Sequence, residues 1–267
     1  MKKISLLGSG WLGFALACHF WHKRFQVKAS TRSPQRLAAL RAAGVAPFLI
    51  DIDSLSPDID AFLDSDILIV NITSKNISSY AKLISAVERS SVSRLIFVSS
   101  SSVYRNVNRL VSESDGVEDC NSALFNIENL FKNSPGFQTT IVRMSGLIGV
   151  ARHPGNFFRN NKPVQQPDAP VNLIHQVDCI NIIDRIVEHN VWGEVLNACA
   201  DTHPTKRLFY SQARRSLGLE PPRFEEPGKI AFKIVDNQRL KAVLHYDFVY
   251  TDLMKLVSQE QASAFAL

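Results

Sequence analysis

Cysteine is scarce in this chain. It has four cysteines in 267 residues, at positions 18, 120, 179 and 199. No two of them form a C-x-x-C pair, so the sequence signals neither a zinc site nor a redox-active pair. We therefore expect no bound metal and a reducing compartment.

Long apolar runs are also missing. No stretch of about 18 apolar residues occurs, as a membrane-spanning helix would require. The N-terminus begins with a strand pattern rather than an apolar segment with a small-residue cleavage site, so we expect no signal peptide. These absences predict a cytoplasmic protein without a membrane partner.

Clusters of basic residues are absent as well. The net charge is +5 and the isoelectric point about 9.1, yet no Lys/Arg run is longer than two residues. Proteins that bind nucleic acids usually concentrate basic residues on one face or one helix. We expect no nucleic-acid partner, because a phosphate-bearing small molecule explains the mild excess equally well.

The first residues contain the most informative pattern. Residues 2–7 are typical of a short buried strand, and the apolar residues 14–20 are typical of a helix. Between them, residues 8–13 read Gly-Ser-Gly-Trp-Leu-Gly. A strand, a G-x-G-x-x-G turn and a helix in this order indicate a dinucleotide-binding site. A tight turn that binds nothing is the alternative, which the flanking strand and helix disfavour.

Each glycine of the turn has a mechanical reason. Gly8 permits the tight turn, Gly10 lets the backbone approach a pyrophosphate, and Gly13 lets the helix pack closely on the sheet. The helix N-terminus then presents N–H groups and a partial positive charge to the phosphates. The predicted cofactor-binding residues of this motif are Gly8, Gly10, Trp11, Leu12 and Gly13.

Apolar strand patterns alternate with helical patterns through the first 150 residues. Such strands indicate a parallel sheet that is covered on both faces. We predict an α/β fold with a doubly wound parallel Rossmann sheet. The predicted strands are 2–7, 25–30, 46–50, 66–71, 94–99 and 139–143, and the predicted helices are 14–20, 34–44, 79–90 and 122–132.

The pattern changes after Gly149. Residues 151–172 contain four prolines and several Asn and Gln residues, which favour a loop. Helices at 177–189, 204–217 and 237–244 and a strand at 195–198 are predicted to follow. We predict an NAD(P)-binding Rossmann domain at 1–150. Residues 151–267 would hold the last Rossmann elements, interleaved with a small C-terminal substrate lobe.

The second predicted strand ends without an acidic residue. NAD-binding proteins usually place Asp or Glu there to hold the ribose 2′-hydroxyl. This chain has Arg32, which can pair with a 2′-phosphate, and the hydroxyls of Ser30, Thr31 and Ser33 can donate hydrogen bonds to it. We predict NADP(H) as the cofactor in preference to NAD(H). A solvated turn with an incidental arginine is the alternative.

Further candidates follow the other strands, at the edge where open α/β sheets bind ligands. Asp51, near the end of the third strand, is either an adenine contact or a turn residue. Asn71 and Ile72 follow the fourth strand and are expected near the cofactor. Ser99 begins a run of four serines after the fifth strand, which suits hydroxyl groups that face a ligand.

Several later segments are similar to segments of one superfamily. They are residues 97–104 with the Glu-Ser-Asp at 113–115, residues 141–149, residues 171–178 and residues 193–197. In these segments the chain resembles the extended short-chain dehydrogenase/reductase superfamily, the NAD(P)-dependent epimerase/dehydratase group. The G-x-G-x-x-G spacing and the short C-terminal part resemble an atypical, YeeZ-like branch of it.

One expected motif of that superfamily is missing. The resemblance implies a Tyr-x-x-x-Lys motif, in which Lys lowers the Tyr pKa, Tyr transfers the proton and the cofactor transfers the hydride. When the chain is aligned on Glu128, the Tyr position falls on Cys120 and the Lys position on Leu124. No tyrosine occurs between residues 105 and 209. The usual proton relay is therefore absent.

Two residues are candidates for catalysis. Ser100 matches the serine that hydrogen-bonds the substrate oxygen in the superfamily, or it caps the end of its strand. Tyr104 is a candidate substitute proton donor, which would need a depressed pKa, although its counterpart in the superfamily packs beside the site. Cys120 would be a thiolate only beside a cation or a helix N-terminus, and is otherwise a small core residue.

Four polar residues are candidates to contact a substrate such as a nucleotide sugar. They are Arg143, Asn156, Asn172 and His175. Arg143 ends a strand at the binding edge of the sheet. His175 lies in the segment that resembles the substrate-pocket segment of the superfamily, or it is a satisfied buried histidine.

Two functions agree with these features. The chain is either an NADP(H)-dependent oxidoreductase or epimerase that acts on a small polar, sugar-nucleotide-like substrate, or a non-catalytic dinucleotide-binding sensor or regulator. The glycine motif, the serine run and the segment 172–178 support the first function, which we favour, and the missing Tyr and Lys favour the second. Superfamily members often pair through two long helices. The corresponding helices here look short, so a monomer and a homodimer both stay open.

Overall fold

The fold is built on a parallel sheet whose strands are mostly buried. The computed structural model describes residues 2–158, 162–226, 228–258 and 264–265. Within these ranges the strands are β1 (Lys3–Leu7), β2 (Gln26–Thr31), β3 (Ala46–Leu49), β4 (Ile67–Val70), β5 (Arg94–Ser100), β6 (Leu110–Val111), β7 (Gln138–Met144), β8 (Gly146–Ile148), β9 (Leu173–His175), β10 (Val195–Ala198) and β11 (Ile234–Val235).

Helices connect these strands. In the same ranges they are α1 (Trp11–His22), α2 (Leu37–Ala42), α3 (Asp58–Leu63), α4 (Ile77–Glu88), α5 (Ala123–Asn133), α6 (Gln176–Glu188), α7 (Lys206–Arg215), α8 (Gln238–Leu244) and α9 (Leu253–Leu256). None of the helices in the described part of the chain combines the length and the apolar character needed to span a bilayer.

The large sheet has seven strands in the order β10-β7-β5-β4-β1-β2-β3. Strand β1 pairs in parallel with β2, where Ile4 faces Val27, and with β4, where Ile4 faces Ile67. The chain adds strands first on one side of β1 and then on the other. The predicted doubly wound parallel Rossmann sheet is therefore confirmed. The order reverses between β1 and β4, which is the position where such sheets bind ligands.

An aromatic cluster helps to cover the sheet. Tyr80 of α4, Phe97 of β5 and Phe131 of α5 are fully buried. Their ring centroids lie 4.8–6.0 Å apart, in the range of favourable aromatic pairs. The apolar faces of α4 and α5 are thus buried against the sheet.

The chain divides into two compact units, which are discontinuous in sequence. The first comprises Met1–Val103, Glu118–Arg143 and Ile180–Leu196. The second comprises Tyr104–Val117, Met144–Cys179 and Asn197–Leu267. The second unit contains two small parallel sheets, β6–β11 and β8–β9. The predicted domain boundary between residues 150 and 151 stays a prediction.

Some elements differ from the sequence-based expectation. The helix predicted at 34–44 begins as a 3-10 turn at Pro34–Arg36 and continues as α2. Strands β6, β8, β9 and β11 have only two or three residues each. Strands this short show too little alternation to be recognised from a sequence pattern.

Candidate nucleotide-binding site

The glycine turn after β1 allows no side chain at two of its positions. Gly8 has φ +99°, and a Cβ atom there would overlap the carbonyl of Asn71. A Cβ atom on Gly13 would overlap the carbonyl of Gly8. The turn and the start of α1 therefore pack at a distance that only glycine permits.

Gly10 differs from these two glycines, because a Cβ atom there would meet no atom within 4 Å. Its backbone thus borders open space at the N-terminus of α1. The first hydrogen bond of this helix runs from the Phe14 N–H to the Gly10 carbonyl, 2.9 Å. The N-cap residue is Gly10, which has no side chain that could cap this helix end. Such an open helix N-terminus favours an anion.

The conformation of the turn is held by β2 and by the end of β4. The Ser30 hydroxyl accepts a hydrogen bond from the Gly8 N–H at 2.9 Å, and the Ser9 N–H donates to the Ser30 carbonyl at 2.8 Å. The Asn71 side chain donates to the Gly8 carbonyl at 3.2 Å. Ser30 is 1% exposed. It therefore positions the turn, and its hydroxyl is already engaged there.

A cavity of about 540 Å³ opens beside the turn. It is formed by the carboxyl ends of β1, β2, β3 and β4 and the residues that follow them. Of the predicted cofactor residues, those that line it are Gly8, Gly10, Thr31, Arg32, Ser33, Asp51, Asn71 and Ile72. Trp11, Leu12 and Gly13 are in the first turn of α1, and Ser99 is in β5. The volume is typical of small-molecule sites.

The cavity also contains residues that the sequence analysis missed. Arg36, at the end of the 3-10 turn, lines it together with Arg32. Asp53 lines it as well and accepts hydrogen bonds from the side chains of Asn76, at 3.1 Å, and Ser79, at 2.6 Å. Arg36 is a basic residue only four positions after Arg32, and this spacing is the sequence signal that could have identified it.

The residues present fit the pyrophosphate of a dinucleotide. Ser9 lines the cavity and is 2% exposed, and its hydroxyl lacks a hydrogen-bond partner among the described residues. A buried hydroxyl without a partner is costly unless a ligand satisfies it. The orphaned Ser9 hydroxyl, the space beside Gly10 and the uncapped helix end all favour an anionic ligand at the same place.

A buried ion-pair network lies next to Ser99 in the first unit. Ser99 donates a hydrogen bond to Glu128. The Arg143 guanidinium pairs with Glu128 at 2.7 Å and with Glu118 at 2.6 Å, and the Arg143 side chain is 4% exposed. Arg143 is thus held by carboxylates of its own chain, and its contact with a substrate stays a prediction.

The other candidates of the first unit have ordinary surroundings. The Ser100 hydroxyl accepts a hydrogen bond from the Ser102 N–H at 3.1 Å, as a strand-end cap does. Cys120 is exposed, and Leu124 packs against the hydrophobic core. An exposed thiol and an apolar side chain therefore occupy the positions of the Tyr and the Lys.

Tyr104 is part of a hydrogen-bonded chain in the second unit. It is 2% exposed, and its hydroxyl donates to the Asn197 side chain at 2.9 Å. The Asn197 N–H donates to Glu113 at 2.6 Å, and burial raises the pKa of that carboxyl group. Lys233 donates to the Tyr104 carbonyl at 2.8 Å, and burial lowers the pKa of its amine.

The predicted substrate contacts of the second unit also make internal bonds. The Asn172 side chain donates to the Lys233 carbonyl and accepts from the Val235 N–H, both at 2.9 Å, which fixes β11. Asn156 is the last residue of the 3-10 turn Pro154–Asn156 and borders a cavity of about 320 Å³. Their contacts with a substrate stay predictions.

His175 matches the alternative of a satisfied buried histidine. It is 1% exposed, and burial lowers its pKa. The Val177 N–H donates to Nδ1 at 3.2 Å, so Nδ1 is the acceptor and Nε2–H donates to the Ala264 carbonyl at 2.9 Å. The ring is therefore neutral, and both of its nitrogen atoms are engaged by the backbone of its own chain. Its substrate contact stays a prediction.

The described residues contain no group of three or more His, Cys, Asp or Glu side chains arranged to hold a metal ion. All four cysteines are free thiols. Cys179 and Cys199 are buried, and burial raises the pKa of both thiols, that of Cys199 to about 12.

The parallel sheet, the glycine turn and the cavity at the strand-order reversal define a nucleotide-binding Rossmann protein. A family model described as "NAD(P)H-binding" matches residues 8–172 of this chain. The chain belongs to this NAD(P)H-binding family. It is similar to Protein YeeZ of Escherichia coli (strain K12), with 32% identity over 270 residues, 94% of this chain and 97% of YeeZ.

Solved structures share the fold at lower sequence identity. A short-chain dehydrogenase/reductase superfamily protein from Agrobacterium tumefaciens with bound NAD has a TM-score of 0.81 and 16% identity, covering 98% of this chain and 96% of its own. The UDP-glucuronic acid 4-epimerase from Bacillus cereus in complex with NAD has a TM-score of 0.75 and 17% identity, covering 97% and 98%. At such identities the likeness concerns the fold.

Proposed function

We propose that the chain binds NADP(H) in the cavity of the first unit and acts as an oxidoreductase or epimerase on a small polar, sugar-nucleotide-like substrate. The observation that carries the proposal is the glycine turn, with open space beside Gly10 and an orphaned Ser9 hydroxyl at an uncapped helix end. The UDP-glucuronic acid 4-epimerase named above supports the substrate class through the shared fold. The proposal therefore combines a local binding motif with a fold-level analogy.

Two arginines support NADP(H) over NAD(H). Arg32 and Arg36 both line the cavity beyond β2, where an NAD-binding protein would carry an acidic residue. Guanidinium groups bind phosphate through several parallel hydrogen bonds, so the pair suits a ribose 2′-phosphate. Asp51 and Asp53 line the cavity from the segment after β3. Their charges would repel a phosphate, so we place the 2′-phosphate on the β2 side.

When bound, NADP(H) supplies the hydride. The chain must then hold the substrate oxygen and provide a proton without the Tyr-Lys pair. Ser100 accepts a hydrogen bond from the Ser102 N–H, which leaves its own proton for a substrate oxygen. Because loss of a general acid typically costs ~10²–10⁴ in rate, we expect a slow enzyme.

The cofactor preference is tested by measuring the dissociation constants of NADPH and NADH for Arg32→Ala and Arg36→Ala. Each substitution should weaken NADPH at least about tenfold, or 1.4 kcal/mol, and leave NADH within about twofold. Arg41→Ala is the matched control, because Arg41 is an exposed arginine of α2 outside the cavity lining. Equal losses for both dinucleotides, or equal affinities of the unsubstituted chain, would contradict the preference.

A non-catalytic sensor is the second candidate. It is favoured by the exposed thiol and the apolar side chain at the two relay positions, and by the Tyr104 hydroxyl, which is buried and already bonded. A panel of sugar nucleotides, aldehydes and ketones distinguishes the two candidates. Turnover is followed through the absorbance of the reduced nicotinamide. Turnover that falls on Ser100→Ala supports the enzyme. Tight NADPH binding without turnover supports the sensor.

A further inference from the structure

The second unit contains a cavity of about 600 Å³ with aromatic and basic walls. Among the described residues, its lining includes none of those that line the cavity of the first unit. We propose that it binds an organic anion that carries an aromatic ring. The inference does not depend on NADP(H) binding. An aryl acid would go beyond the proposed function, whereas a nucleotide would deepen the sugar-nucleotide substrate class proposed above.

The aromatic wall arises from a close approach of two segments. A Cβ atom on Gly155 would overlap the Ala213 carbonyl of α7, so the backbone at Gly155 packs directly on that helix. The next residues, Phe157 and Phe158, then reach Tyr210 of α7. The Phe158 and Tyr210 ring centroids are 4.7 Å apart at 75°, and those of Phe157 and Tyr210 are 6.5 Å apart.

These rings are not completely buried in the protein core. Phe157 is 39% exposed beside the cavity. A ligand ring that packs edge-on or offset against these side chains would bury this apolar surface. The wall therefore favours a ligand with an aromatic ring.

Tyr210 adds a hydroxyl group to the lining of the cavity. The residue is 9% exposed. Burial raises its pKa to about 12, so the hydroxyl keeps its proton near neutral pH. It can therefore donate a hydrogen bond to a ligand oxygen.

The charges of the cavity select an anion. Lys206 lies four residues before Tyr210, so both side chains are on the same side of α7. Its amine donates to the Gln165 carbonyl at 3.0 Å; burial lowers its pKa, and the nearby Glu225 opposes this shift. Among the residues that the structure describes, the lining contains two lysines, Lys206 and Lys162, and one carboxylate, Glu225. The excess positive charge attracts a carboxylate or a phosphate.

Two kinds of ligand have this chemistry. One is an aryl acid, and the other is a nucleotide, whose base supplies the ring and whose phosphate supplies the charge. The cavity volume is sufficient for either. We would titrate benzoate and uridine 5′-monophosphate into the full chain by calorimetry, and the one that binds more tightly identifies the source. Benzamide lacks the charge, and cyclohexanecarboxylate lacks the aromatic ring. Each should bind at least about tenfold more weakly than benzoate if benzoate binds.

Substitutions of lining residues test whether the anion binds in this cavity. Tyr210→Phe and Lys206→Gln should each weaken the binding of the preferred anion about tenfold. Lys229→Gln, an exposed lysine of the same unit outside the lining, should leave it unchanged. Circular dichroism and NADPH affinity, measured for each variant, should match those of the unsubstituted chain.

The proposal is overturned if neither anion binds saturably, if the aliphatic acid binds as well as the aromatic one, or if the lining variants behave like Lys229→Gln. NADPH titrations of the same samples separate this failure from a failure of the proposed function. Loss of anion binding with retained NADPH binding, in the unsubstituted chain or in a variant, concerns this cavity alone.

Discussion

Arg143 and Glu128 form a two-point ion pair inside the first unit. The Arg143 Nη2 atom lies 2.7 Å from Glu128 Oε2, and its Nε lies 3.1 Å and 3.2 Å from the two carboxylate oxygens. The two side chains are 4% and 2% exposed. A buried pair of this kind stabilises little by itself, but removing one partner leaves a charge without compensation.

Arg143→Met should therefore destabilise the chain by about 3–5 kcal/mol. The substitution leaves the carboxylates of Glu128 and Glu118 without their arginine partner. Urea denaturation followed by circular dichroism measures the change. Arg207→Met is the control, because the pair of Arg207 with Asp168 is about 40% exposed on both sides and should contribute less than about 1 kcal/mol. If Arg143→Met lowers the free energy of unfolding by no more than Arg207→Met does, the buried network does not have the predicted structural importance.

Gly10→Ala should separate binding from folding. The φ of Gly10 is −65°, and the added Cβ meets no protein atom within 4 Å, so the free energy of unfolding should change by no more than about 0.5–1 kcal/mol. The methyl group would occupy the space beside Gly10, where we propose that the pyrophosphate binds, so NADPH affinity should fall at least about tenfold. Calorimetry and thermal unfolding check both parts.

Gly13→Ala provides the contrast to Gly10→Ala. Its Cβ would overlap the backbone carbonyl of Gly8, so this variant should lose both stability and binding. Unchanged NADPH affinity in Gly10→Ala would place the ligand elsewhere.

His175 should stay neutral below the pH at which an exposed histidine becomes protonated. Burial lowers its pKa, so below about pH 6.5 the unfolded chain binds a proton that the folded chain does not. Stability should therefore fall as the pH decreases from about 7 towards 6, by at most about 1.4 kcal/mol per pH unit for this residue. Urea denaturation across this range should show a shallower slope for His175→Asn. An unchanged slope would contradict the assignment.

Cys120 should react first with a thiol reagent such as dithionitrobenzoate. It is exposed, Cys18 is half-buried, and Cys179 and Cys199 are buried with raised pKa values. Because the thiolate is the reactive form, the buried thiols of Cys179 and Cys199 should react only on unfolding. The native chain should show one fast thiol, which Cys120→Ser removes. A fast phase that persists in this variant would mean that another cysteine is accessible.

The glycine turn and the sheet were predictable because their signals are local. Each requirement of the turn, from Gly8 to Gly13, occurs at a fixed spacing along the chain. Buried parallel strands such as β4 leave a continuous apolar run. The candidate Arg32 followed from its position after β2, and the cavity places it beside Arg36, which the sequence analysis had passed over.

Other features depend on residues that are distant in the chain. Arg143 ends a strand at the binding edge of the sheet, which suggested a substrate contact, but a residue's position along a strand does not show which carboxylates surround it. Asn172 and His175 are likewise engaged by the backbone of β11 and by Ala264. No sequence pattern indicated the cavity that Phe158 and Tyr210 line.

The amino-acid sequence alone determined the class of fold and the glycine turn at which we propose that a dinucleotide binds, because these depend on short segments with strict local geometry. Only the tertiary structure decided how the buried polar side chains are satisfied and where aromatic rings and lysines form a second cavity. Burial, charge pairing and ring packing arise from contacts between distant segments, and the order of residues along the chain does not specify them directly.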